Sequence, residues 1–431
     1  MGAEDNSRYG RLAVRASAVR LKAWRSAAPL YNIAVREGVR RVFPPARGRD
    51  IGDVGNVRVV GLLTTATGIG QSARLCAGEL SRDGFEVSLA NLSKVFGVDS
   101  GIPLAATGGR AAVGPDLSIY HLNPPLILLG MIASGLRTYY RSPAVAYWAW
   151  ELPELPPEWV VALRYVQAVL TPSTFCADII RRHTDKPVLV VPHPVAAVDG
   201  RDATWRAGDE GRPFRVLSIF NCGSSLYRKN PMALIEAFKL AFGRDAGAEL
   251  VLKVSDGRAH QADMAHLRER IGNAPNIRIV DRMMTEPELD QLIRSADVVA
   301  SLHRSEGFGL SVAEAIMRGV PVVVTDWSGT ADFCPPQLAY TVGYQLVAVD
   351  DPHPAYCHIR AARWAEPSIE EAAGRLREVR SDPAEAWKRA AELRSRLVGH
   401  IAAHRYGRAI ASLDGRCTAV GEQRPANTLS P

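Results

Sequence analysis

From about Val57 onward the chain alternates short, strongly apolar runs with longer stretches in which apolar residues recur every three or four positions. VRVVGLL, LSIYH, AVAYWAW, QAVLT and PVLVVP read as strands in the first half, and FRVLSIF, AELVLKV, IRIV, DVVAS and PVVVT in the second. Runs this continuously apolar suit strands covered on both faces. Their alternation with helical segments implies parallel sheets built from βαβ units. The pattern therefore predicts an α/β protein with two doubly wound domains in series.

Pro192, His193 and Pro194 close the first series, and the polar stretch DGRDATWRAGDEGRP precedes the next strand, which places a hinge between Pro192 and Arg212. The expected organisation is an arm over residues 1–50, a first domain over 51–195, a second over 196–382, one or more helices over 383–414 and a disordered tail over 415–431.

An apolar fraction of 47% and a charged fraction of 23% are those of a globular chain, and 431 residues suffice for two or three domains. The net charge of +7 is confined to residues 1–50, which carry eleven Lys and Arg against four acids; the remainder is neutral, with 41 of each sign. A body without a basic stripe argues against nucleic acid as a partner. Cysteines 76, 176, 222, 334, 357 and 417 are scattered without metal-ligand spacing and read as reduced thiols. The apolar stretch Leu126–Leu136 has about half the length that spans a bilayer. The beginning of the sequence lacks a signal-peptide pattern, so a cytoplasmic protein is expected.

Ligands of open parallel sheets bind beyond the carboxyl ends of the strands. After VRVVGLL, Gly68 and Gly70 would let backbone approach a ligand where a helix opens near Gln71, although the third glycine of a dinucleotide fingerprint is missing. After FRVLSIF, Asn230 and Pro231 start a helix, so Arg228 and Lys229 precede its positive end, a place that favours an anion bound with them. After DVVAS comes SEGFGLSVAEAIMRG. Here the amides of Phe308, Gly309 and Leu310 open a helix toward an anion, and Glu306 and Glu314 offer carboxylates to sugar hydroxyls. One ligand carrying both a phosphate and a sugar fits this set.

At these residues the chain resembles family 4 of the retaining glycosyltransferases, which have the GT-B fold of two Rossmann-like domains around an interdomain cleft. SEGFGLSVAEAIMRGVPVV is similar to that family's paired-glutamate motif and RKNPMALIEAF to its basic segment; VVGLLTTATGIGQSA and WAEPS also look familial. The resemblance implies that Glu306 contacts the transferred sugar and Glu314 the ribose, with Lys229 on the phosphates and His121 beside the donor sugar. His121, Glu306 and Lys229 are thus the expected catalytic residues. Gly68, Gly70, Arg228, Phe308, Gly309, Leu310 and Glu314 would complete the donor site. The chain departs from the family at Phe220-Asn221-Cys222, where a second basic residue is common.

The expected reaction moves a hexose, with a lean to mannose, from a nucleoside diphosphate sugar to a saccharide or lipid-linked acceptor, with retention. The nucleotide sugar is a substrate and no cofactor is expected. The absence of a DxD pair suits a site that uses protein cations in place of a metal. In YWAWELPELPPEW, Trp148, Trp150 and Glu151 are candidates for the acceptor side, or the tryptophans fill the core. In the arm, Leu12, Ala16, Val19 and Ala23 recur at helical spacing among basic residues, so residues 8–41 are a candidate contact with an anionic membrane surface. Two alternatives remain: an epimerase or hydrolase acting on nucleotide sugars, and a non-catalytic subunit that binds them.

Overall fold

All ten apolar runs become strands, and all ten pair in parallel. The computed structural model describes residues 45–46, 51–104, 114–196, 198, 211–359 and 361–413. Both the candidate membrane segment 8–41 and the tail 415–431 lie outside these residues, as does most of the expected hinge.

The first domain runs β1 (Asn56–Gly61), α1 (Gly68–Arg82), β2 (Glu86–Asn91), β3 (Leu117–His121), α2 (Pro124–Arg141), β4 (Ala144–Tyr147), α3 (Pro157–Ala162), β5 (Ala168–Thr171), α4 (Thr174–Arg181) and β6 (Val188–Val190). Its strand order is β2-β1-β3-β4-β5-β6. The second runs β7 (Phe214–Asn221), α5 (Leu226–Lys229), α6 (Pro231–Phe242), β8 (Ala248–Ser255), α7 (Gln261–Ile271), β9 (Ile277–Asp281), α8 (Glu286–Ser295), β10 (Val298–Ser301), α9 (Leu310–Met317), β11 (Val322–Thr325) and β12 (Tyr340–Val342). Here the order is β12-β11-β10-β7-β8-β9. An antiparallel pair, β13 (Tyr344–Ala348) and β14 (Arg363–Pro367), is followed by α10 (Ile369–Ser381), α11 (Pro383–Ala403) and α12 (Tyr406–Leu413).

The strand order reverses between β1 and β3 in the first sheet and between β7 and β10 in the second. A crevice opens at such a reversal because the neighbouring connections leave on opposite faces of the sheet. The loops after β1, β7 and β10 carry most of the candidate residues, His121 ends β3, and Trp148 and Glu151 follow β4. The two halves meet closely here. Ser173 Oγ donates to the Gly307 carbonyl at 2.6 Å, and the Thr174 amide donates to Asp332 Oδ2 at 2.6 Å.

Two late segments return to the first domain. Tyr356 and Trp364 join the apolar cluster of Trp148, Trp150 and Trp159, whereas Tyr406 and Ile410 of α12 pack beside Cys76 and Tyr147. The Tyr406 amide donates to the buried Glu79 carboxylate at 2.7 Å. Cys76, Cys176, Cys222, Cys334 and Cys357 are free thiols. Among the described residues no helix is long and apolar enough to cross a membrane.

Candidate active site

The loop after β10 is shaped by close backbone approaches. Gly309 caps α9 with φ +96°, and a Cβ there would come within 2.5 Å of Thr330 Cγ2, so only glycine fits. No side chain caps α9, which leaves its opening turn to a ligand or to water. The Phe308 ring is buried between His193 and Phe333, each with ring centroids 5.0 Å away, which fixes the direction of the backbone entering the helix.

Glu306 is held by its own backbone as well as by charge. Its amide donates to Ser328 Oγ at 2.8 Å, and its carbonyl accepts from the Gly329 amide at 2.9 Å. Oε1 accepts from Lys229 Nζ at 2.5 Å and Oε2 from Arg228 Nη1 at 3.0 Å. Both cations sit on the one-turn helix α5, which ends where Asn230 adopts a left-handed conformation and caps α6 through the Ala233 amide. Burial pushes the Glu306 carboxyl up, but Lys229 and then Arg228 outweigh it and hold it at about 2. Burial lowers the Lys229 ammonium, and Glu306 only partly opposes this. For Arg228 burial acts downward, yet the surrounding Tyr356, Glu306 and Glu151 raise it.

Glu314 reaches the first domain directly, accepting from Gln71 Nε2 at 2.9 Å. Burial raises its carboxyl, against the hydrogen bond from Gln71. Glu306 approaches the first domain through Arg228, whose Nη2 lies 3.8 Å from Glu151 Oε1. Both acids therefore face the cleft. Gly68 opens α1 on the same side, where a Cβ would sit 3.9 Å from Leu310 Cδ1. Asn221 offers no cation; its side chain accepts from the Gly223 amide at 2.7 Å.

Two expectations are corrected. Gly70 does not offer backbone to a donor. It is buried in its own turn, and a Cβ there would lie 2.3 Å from Thr65 Oγ1 and 2.6 Å from the Leu62 carbonyl. Its glycine serves the turn, and Gly70→Ala is expected to cost about 1–3 kcal/mol in denaturant unfolding, as overpacking does. Trp148 does not face an acceptor either: it is fully buried and packs edge-on to Trp159 at 5.5 Å. Trp150 is buried too, its Nε1 donating to the Glu154 carbonyl at 2.8 Å. Glu151 is the member of that segment left at the cleft.

His121 lies at the end of β3, wholly buried and stacked on Tyr147 with ring centroids 4.6 Å apart. Its Nδ1 pairs with Ser72 Oγ at 3.1 Å, while Nε2 has no protein partner. Burial, then the neighbouring His193, lowers it to about 3, so it is a neutral imidazole at pH 7. The sequence reading missed Gln71 and Tyr356 as site residues. Gln71 stood within a quoted motif without a partner to point to, and nothing in the pattern marks Tyr356.

Residues 175–410 match the model of a family described as family 4 glycosyltransferase in conflict systems. The chain belongs to this glycosyltransferase family. The chain is 31% identical over 132 residues to D-inositol 3-phosphate glycosyltransferase of Corynebacterium glutamicum (strain R), over 30% of this chain and 31% of that protein. It thus spans about a third of the length of that curated relative. Among solved structures it resembles Anabaena HepE in complex with UDP, with a TM-score of 0.55, 15% identity, and coverage of 84% of this chain and 98% of that one. The apo lipopolysaccharide outer core galactosyltransferase WaaB gives a TM-score of 0.53 at 14% identity, over 83% of this chain and 99% of that one. TarM gives 0.51 at 14%, over 69% of this chain and 54% of its own. These likenesses establish the two-domain GT-B fold.

Proposed function

We propose that the glycosyltransferase moves a hexosyl group from a nucleoside diphosphate sugar to a hydroxyl of a saccharide or lipid-linked saccharide, with retention at the anomeric carbon. The observation that carries this reading is the cluster of Glu306, Lys229 and Arg228 beside the uncapped start of α9, directly across from Gln71 and Gly68. When the sugar leaves, negative charge grows on the diphosphate and positive charge on the sugar ring. Lys229, Arg228 and the α9 amides stabilise the first of these, and Glu306 lies where it can meet the second. Glu314 holds the ribose diol, its carboxylate exchanging the Gln71 amide for hydroxyl donors. His121 is wholly buried in this structure, so its unpartnered Nε2 would reach the sugar only after the side chains around it shift, and as a neutral imidazole it moves no proton near neutrality. The departing phosphate takes the acceptor's proton on the same face of the sugar. The two protein cations supply the charge that a metal ion would otherwise bring.

The test is thermal melting against a panel of UDP, GDP, ADP and dTDP sugars, followed by NMR of the product. One donor should stabilise the protein by about 2.7 kcal/mol at a hundredfold excess over its Kd. The product should keep the donor's anomeric configuration, and a chelator should leave turnover unchanged. An inverted product, or no stabilising nucleotide sugar, overturns the reading; free sugar without transfer points to a hydrolase.

A further inference from the structure

The segment between β13 and β14 is a strap across the cleft. Its first half is tied to the loop after β7: the buried Asp351 accepts from Ser225 Oγ at 2.5 Å and from the His353 amide at 2.8 Å. Its second half crosses to the first domain, where the Tyr356 ring packs on Trp150 with centroids 5.7 Å apart. The phenol then donates to Glu151 Oε2 at 3.1 Å. The other Glu151 oxygen faces Arg228, whose opposite nitrogen holds Glu306. Phenol, carboxylate, guanidinium, carboxylate and the Lys229 ammonium thus form one line from the acceptor side to the donor side.

Glu151 keeps 22% of its side chain accessible, whereas Tyr356 is 5% exposed. A carboxylate only accepts hydrogen bonds, and an alcohol O–H donates to it as a phenol does. Arg228 and Lys229 are already matched by Glu306 and, in the proposed function, by the donor diphosphate. A phosphorylated acceptor would bring a second negative charge against Glu151, beside two cations that are already matched.

We propose that Tyr356 determines specificity on the acceptor side: its hydroxyl occupies on Glu151 the place that an acceptor alcohol takes during transfer, and the acceptor is a neutral polyhydroxyl compound. This rests on the donor site proposed above. The strap must yield for the acceptor to bind. Burial keeps the phenol protonated well beyond neutral pH, so it stays a donor to Glu151.

The experiment saturates the protein with the nucleotide that stabilises it. Binding of methyl α-D-mannopyranoside, methyl α-D-glucopyranoside and their 6-phosphates is then measured by calorimetry. A neutral glycoside should bind at least about tenfold more tightly than its phosphate. Tyr356→Phe keeps the ring but removes the competing hydroxyl, so it should tighten glycoside binding by about three- to tenfold. That gain should vanish in a Glu151→Gln background, while stabilisation by the nucleotide stays unchanged in Tyr356→Phe. Where transfer is measurable, the acceptor KM should move and the donor KM should not. Phosphates that bind as well as glycosides, glycosides that do not bind at all, or a Tyr356→Phe protein with unaltered affinity each overturn the proposal while leaving the donor site standing. A wild-type protein that no nucleotide stabilises sinks the donor reading, and this inference with it.

Discussion

Replacing Lys229 by alanine is expected to lower the transfer rate by about 10²- to 10³-fold, the usual cost of removing one group aimed at charge that develops in the transition state. Fold should survive the change. Glu306 keeps the Arg228 guanidinium at 3.0 Å, so no buried carboxylate is left unpaired. Steady-state turnover compared with far-UV circular dichroism and melting separates the two effects. A Lys229→Ala protein that folds and transfers at near wild-type rates would remove this ammonium from the mechanism.

Glu306→Gln should act on stability as well as on rate. Arg228 is 3% exposed and would lose its nearest anion, leaving Glu151 at 3.8 Å as the remaining carboxylate partner. Removing one partner of such a pair costs about 3–5 kcal/mol, most of it the penalty of an uncompensated buried charge. Denaturant unfolding at neutral pH checks this, and adding Lys229→Ala to Glu306→Gln should recover part of the loss. The wild-type protein should show the same linkage through pH. The folded carboxyl titrates at about 2, below its ordinary value of 4.5, so the folded state binds this proton less readily than the unfolded chain. Its contribution is therefore complete above 4.5 and disappears as pH falls from there toward about 2. Equal stability of wild type and Glu306→Gln at neutral pH would contradict the pairing.

Much of this architecture was legible because parallel strands covered on both faces leave unbroken apolar runs. The strands that escaped notice lie elsewhere. β2 is an edge strand whose sequence, EVSLAN, mixes exposed and buried positions, β12 is an edge strand of three residues, β13 is mostly exposed, and its partner β14 is a five-residue strand that carries two charged residues and ends on a proline. For the candidate site, residue types near glycine and helix starts pointed to Glu306, Glu314, Arg228 and Lys229, which lie where the two halves meet. Their pairing was not legible: Glu306 meets Lys229 across 77 positions and Glu314 meets Gln71 across 243. Trp148 and Gly70 misled for one reason. Aromatic rings and glycines serve packing and turns as readily as ligands, and only the surrounding atoms separate the two uses.

The return of α12 has a mechanical meaning. α11 contributes Leu393 and Leu397 to the core of the second domain, and three residues beyond its end Tyr406 is already embedded in the first. Leaving aside the strap between β13 and β14, which reaches across and returns, the chain passes from one half to the other twice, once after β6 and once at His404–Arg405, where Arg405 is ion-paired with Asp83. A door hung on two pins can swing only about the line that joins them. Any rigid-body swing of the two halves is thereby restricted toward a single rotation, and severing the peptide at the second pin is expected to free them to twist as well as to swing.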